Sequence, residues 1–109
     1  MTVAQIADGS QTAVISTTHT LDTETGEKTY VLCVDLSNMA SGDVMELTAW
    51  TKTRSSSTSA ISYSQSFTGA QAETAFISIP VPSVHEIVFK LEQTAGTGRA
   101  FPWSVLTLD

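Results

Sequence analysis

The sequence predicts an all-β protein: a single antiparallel β-sandwich of jelly-roll or Ig-like type, with about seven to eight strands. Three observations carry this expectation. Apolar and polar residues alternate with a period of two along most of the chain, as on strands with one face in a core. Turn-forming residues punctuate it at short, regular intervals, as in sandwiches and barrels. No segment shows a helical stripe, and the nearest approach is a short turn around Ser37 to Ala40.

Residues 1–10 lack clear strand alternation and read as a flexible N-terminal arm that orders on a partner. A first strand is expected near Gln11–Thr20. A second, near Lys28–Leu36, holds the apolar run Val31-Leu32-Cys33-Val34. A third spans Asp43–Lys52. A fourth spans Ala60–Thr68, where Ile61, Tyr63, Gln65 and Phe67 alternate with Ser62, Ser64 and Ser66. If the serine-rich turn between these two centres on Ser56 and Ser57, Trp50 falls opposite Tyr63, and that aromatic pair helps fix the register. A fifth strand, Thr74–Val81, alternates Ala75, Ile77 and Ile79 with Thr74, Phe76 and Ser78. A sixth, Val84–Glu92, alternates Ile87, Phe89 and Leu91 with Glu86, Val88, Lys90 and Glu92. The last, Ala100–Leu108, carries Phe101, Trp103 and Val105 on one face. Pro80 and Pro82 withhold two ladder donors, so that segment belongs at an edge or a crossover between sheets.

The 109 residues make one domain, residues 1–109, with no repeat and no linker. Charged residues are 15% of the chain, against roughly 25% in an ordinary soluble domain. The 14 Ser and 17 Thr fill the difference, so the surface is mostly hydroxyl. The net charge of −6 argues against nucleic acid held through phosphates, and against an anionic membrane. The single cysteine, Cys33, excludes an intramolecular disulfide framework. The N-terminus does not resemble a secretory signal, no run is long enough to span a membrane, and Asn38 begins no glycosylation sequon. These features suit a chain made in a reducing cytoplasm.

No motif reads as catalytic. A Ser-His-Asp set can be drawn from the serines, His19 or His85, and Asp35, but there is no nucleophile elbow. Fourteen serines supply such sets by chance. Cys33 reads as a buried structural thiol rather than a nucleophile. Asp22, Glu24 and Glu27 around Gly26 offer hard oxygen ligands without the spacing of a calcium loop, and read as a solvated turn. His19 and His85 lack metal-ligand spacing. Gly96-Thr97-Gly98-Arg99 matches no phosphate-binding fingerprint and reads as a hairpin turn. Phe101-Pro102-Trp103 reads as core aromatics, with a sugar platform as the competing reading. No catalytic residue, cofactor or metal is therefore assigned, and the chain is not expected to be an enzyme.

What remains is assembly. Strand edges in a charge-poor β protein need cover from loops or from partners. The candidate partner residues are Thr2 and Val3 in the arm, Ser55, Ser56 and Ser57 at the hairpin tip, and Arg99 in the glycine turn. Arg99 can form a bidentate pair with a partner carboxylate, or stand as a surface cation with none.

Two stretches carry a resemblance. One is Tyr30-Val31-Leu32-Cys33-Val34-Asp35-Leu36-Ser37, followed through Gly42-Asp43 by Val44-Met45-Glu46-Leu47. The other is Leu91-Glu92-Gln93-Thr94-Ala95-Gly96-Thr97-Gly98-Arg99-Ala100-Phe101-Pro102-Trp103-Ser104-Val105. Together they resemble small β-sandwich virion structural proteins of tailed bacteriophages. The resemblance implies a capsid decoration (cement) protein that binds the outside of the shell, bridges major capsid subunits and stabilises the particle. The implied partners are the major capsid protein or other virion proteins, with homo-oligomers possible. The implied location is the virion. The alternatives are a tail, connector or minor head component, or a carbohydrate- or protein-binding β-sandwich module.

Overall fold

The computed structural model describes residues 2–108. Its strands are β1 (Val3–Thr12), β2 (Thr18–Glu24), β3 (Lys28–Asp35), β4 (Val44–Thr51), β5 (Ala60–Thr68), β6 (Ala75–Ile77), β7 (Val81–Ser83), β8 (Ile87–Ala95) and β9 (Ala100–Leu108). One sheet has the order β1-β9-β3-β6, with β7 also pairing β3; the other runs β2-β8-β4-β5. Every pairing is antiparallel. The chain is an all-β sandwich.

The order of pairing defines its winding. β1 pairs β9, β2 pairs β8, β3 pairs β6 and β7, and β4 pairs β5. The first four strands thus pair in turn with the later strands in reverse. A ribbon paired in this way and rolled into two sheets is a jelly roll. Of the two topologies left open by the sequence, the strand order is this one.

The core lies between the sheets. Tyr30, Leu32 and Val34 from β3 and Phe101 and Val105 from β9 face Met45, Leu47 and Ala49 from β4 and Ile87, Phe89 and Leu91 from β8. The expected alternation on β8 is the observed one, because Ile87, Phe89 and Leu91 are all at or below 1% exposure. Phe67 and Phe76 close one side with an edge-to-face contact, centroids 5.0 Å apart.

Four expectations are corrected. First, the N-terminal arm is a strand: β1 pairs β9 from Val3↔Leu108 to Thr12↔Ala100. A register shift between Gln5 and Ala7 interrupts its alternation and hides it in the sequence. Thr2 lies just outside β1, and Met1 of that arm falls outside the described residues. Second, the strand expected at Gln11–Thr20 is two strands. The chain turns from one sheet to the other between them, where Ser16 takes a left-handed φ of 64° and its N–H donates to the Gln93 carbonyl (2.8 Å). Third, Trp50 stands opposite Ile61, and Tyr63 opposite Ala49. Ser62 is the extra residue of a bulge, and its hydroxyl donates to the Ala49 carbonyl (3.1 Å). Fourth, Thr74–Val81 is not one strand. The Pro80–Pro82 segment parts β6 from β7, both at the sheet edge where the prolines were expected.

Candidate interaction surface

The two outer faces of the sandwich differ in chemistry. On the β2-β8-β4-β5 sheet, Glu46, Thr48, Trp50, Lys90 and Glu92 alternate with core residues and so point outward. Four of the five, all but Glu46, make side-chain contacts on this sheet. Thr18 Oγ1 donates to Glu92 Oε1 (2.7 Å). Trp50 Nε1 donates to Thr48 Oγ1 (2.9 Å). The Lys90 ammonium sits 4.2 Å from the centre of the Trp50 ring. Trp50 is thus half-buried under its own neighbours rather than presented as a platform. Tyr63 and Trp103 also pack against the core.

The outer face of the β1-β9-β3-β6 sheet is poorer in charge. The register aligns Asp8, Ser104, Cys33 and Ile77 in one row across four strands. The next rows hold Gln5, Leu106 and Val31, then Val3, Leu108, Thr29 and Pro82. A shallow trough of ≈ 540 Å³ crosses this sheet, lined by Gln5, Asp8, Cys33, Ile77 and Ser104 among others. Ile77 is 66% exposed and Val3 54%; Ile79, next along the edge, is 54% exposed. This places Cys33 on the outer face and half-buried, a correction to the buried thiol expected there. Leu32 and Val34 take the core positions, and strand parity turns the residue between them outward. The same parity turns Phe76 inward and Ile77 outward.

Arg99 is engaged within the chain. Its Nε donates to Asp43 Oδ2 (2.8 Å), so the carboxylate it meets is the chain's own. Asp43 is 1% exposed. It also accepts the N–H of Ala40 (2.9 Å) and of Thr97 (3.1 Å). Those bonds, the Ala40 N–H first and the Arg99 side chain next, hold its carboxyl below the usual carboxylate range although burial opposes them. Gln93, fully buried, completes the clamp. Its amide donates to the carbonyls of Ala95 (3.0 Å) and Thr97 (2.7 Å), and its oxygen accepts the Arg99 N–H (3.1 Å). The glycine turn is shaped by this clamp. Gly96 has φ of +91°, and a Cβ there would lie 2.8 Å from the Asp43 Cα. Neither Asp43 nor Gln93 was singled out as a site residue, because a turn aspartate and a strand glutamine give no sign in sequence of being buried.

The other candidates are scattered. Ser55, Ser56 and Ser57 cap the β4–β5 hairpin, where the Ser57 N–H donates to the Arg54 carbonyl (3.0 Å). Val3 pairs with Leu108 at the start of β1, and Thr2 precedes it. His19 Nε2 accepts the Val14 N–H (3.1 Å), which ties down the corner between β1 and β2. Asp35 accepts the Ser37 N–H (2.9 Å). Burial, and then Asp22 beside it, raises the Glu24 carboxyl. Among the described residues no group of His, Cys, Asp and Glu is arranged to hold a metal ion. No helix among them is long and apolar enough to cross a membrane.

Compared with protein-family models, curated proteins and solved structures, the chain shows no significant match.

Proposed function

We propose that the chain is a non-catalytic structural protein of a bacteriophage virion, a capsid decoration protein that docks on major capsid subunits through the outer face of the β1-β9-β3-β6 sheet. One observation carries the reading: the asymmetry between the two outer faces. On the outer face of the β2-β8-β4-β5 sheet hydroxyls predominate, Glu92 is held by Thr18, Lys90 sits over Trp50, and Ile61 is exposed on the β5 strand. The opposite sheet leaves Ile77 more than half exposed at the rim of a shallow trough, and Val3 more than half exposed on β1. Exposed apolar side chains beside such a trough suit a protein contact. The resemblance of the Tyr30–Leu47 and Leu91–Val105 stretches to small virion proteins supplies the kind of partner.

The mechanism is mechanical. Packaged DNA strains the shell, and a rigid sandwich seated across neighbouring subunits resists their separation. The affinity comes from apolar surface of that face removed from water. The test is co-sedimentation with expanded and unexpanded shells of the cognate capsid protein. The reading predicts saturable binding to expanded shells, weakened roughly tenfold or more by Ile77→Glu, since burying one Ile side chain is worth about 1.5–3 kcal/mol. Equal binding by the variant, or growth of the free protein into rings or tubes, overturns it.

A further inference from the structure

The sandwich has four strand edges, and three are guarded. The β6/β7 edge consists of two three-residue strands parted by prolines. β1 is bulged between Gln5 and Ala7 and carries Asp8. β2 is bulged between Thr20 and Asp22 and carries Asp22 and Glu24. Prolines, bulges and charges are the usual devices that stop an edge from pairing with another chain. β5 has few of them. It is nine residues long and, among the described residues, pairs only with β4. Its one bulge lies near its start, which leaves Tyr63 to Thr68 regular. From Ser55 to Ala72 there is no Asp, Glu, Lys, Arg or Pro.

The residues of β5 are also symmetric about its middle. Tyr63 and Phe67 lie two residues either side of Gln65, and Ser64 and Ser66 one residue either side. An antiparallel pair of two such strands centred on Gln65 sets Tyr63 against Phe67 of the second copy, twice. It sets Ser64 against Ser66, twice, and Gln65 against itself. Tyr63 and Phe67 are half-buried against the core at this side of the sandwich, so each has surface left for an aromatic cross-strand pair. Charge points the same way. Two chains of net charge −6 repel, and a stretch without ionised side chains is where they can approach at least cost.

We infer that β5 is a homodimerisation edge: two copies pair antiparallel about a twofold axis through Gln65, joining two four-stranded sheets into one of eight strands. The inference is independent of the shell reading, because it concerns the free protein. Its backbone hydrogen bonds supply affinity, and its aromatic pairs supply register.

Sedimentation velocity across micromolar concentrations tests it, with crosslinking as the check on register. The wild-type chain should show a monomer–dimer equilibrium. Gln65→Lys, an exposed substitution that sets two like charges opposite each other, should raise the dissociation constant roughly fivefold or more. Gln65→Thr should leave it near the wild-type value. Opposed residues in an antiparallel pair have Cα atoms at disulfide distance. In a Cys33→Ser background, Gln65→Cys should therefore form a covalent dimer on mild oxidation and Ile61→Cys should not. A monomer at every concentration, a dimer indifferent to Gln65→Lys, or equal crosslinking at both positions overturns the inference. So does a free monomer whose β5 amides become protected from exchange only on shells, which would assign the edge to a capsid strand.

Discussion

Asp43 joins two turns that lie far apart in the chain. Its carboxylate holds the Ala40 turn, the Thr97 backbone and the Arg99 side chain together. Asp43→Ala leaves two backbone donors and a partly covered guanidinium without this acceptor. We expect a loss of about 3 kcal/mol, read as a fall in Tm of roughly 12 °C or more. Gly96→Ala should destabilise by about 2 kcal/mol or more, because it adds a left-handed alanine and a contact with the Asp43 backbone. The clamp also sets an acid response. The Asp43 carboxyl is depressed in the folded state, so its contribution is complete above the ordinary carboxylate value. It is lost as pH falls from about 4 through the lower folded value. Urea melts between pH 6 and pH 2 should show a stability loss that Asp43→Asn, already weakened at pH 6, no longer shows in full. Glu24 has the opposite sign: its raised carboxyl opposes folding when ionised, and that opposition is relieved as pH falls.

At the scale of the element, the strands differ in how plainly the sequence displays them. β8 is legible because Ile87, Phe89 and Leu91 share one parity and Lys90 and Glu92 the other. β1 is not, because its bulge moves the inward positions to the other parity partway along Val3–Thr12. Ala75, Phe76 and Ile77 are all apolar, so the local pattern cannot say which of them faces the core. That choice is made by pairing with Val34, which sets Phe76 inward. The site is less legible than the fold for a related reason. Arg99 and Asp43 meet only through the winding of the roll, and the outer row from Asp8 to Ile77 is assembled from four strands. Ser55, Ser56 and Ser57 were visible as a loop because Ser runs favour turns, yet a loop position alone does not define a partner. One prediction belongs at this scale. Ser62→Ala removes the hydroxyl that bridges the β4–β5 bulge and should cost about 1 kcal/mol in a denaturant melt without shifting the far-UV spectrum.

At the scale of the whole molecule, the jelly roll sorts its surface into a hydroxyl-rich sheet, a poorly charged sheet and one unguarded edge. A fold of this type serves many functions, so the reading rests on that sorting and on the resemblance rather than on the topology. Salt should separate the two contacts proposed here. Screening weakens repulsion between two −6 chains, so added salt should tighten β5–β5 pairing, measured as a lower dissociation constant. Docking of an apolar face on a shell should depend on salt far less. The most direct measurement of the central claim is a cryo-electron microscopy map of expanded shells saturated with the protein, at a resolution that separates the two sheets. The expected density has the β1-β9-β3-β6 sheet against the shell, Ile77 and Cys33 at the contact, and the Trp50–Lys90 face toward solvent. Density with the Trp50–Lys90 face against the shell, or no added density at saturating protein, would contradict it.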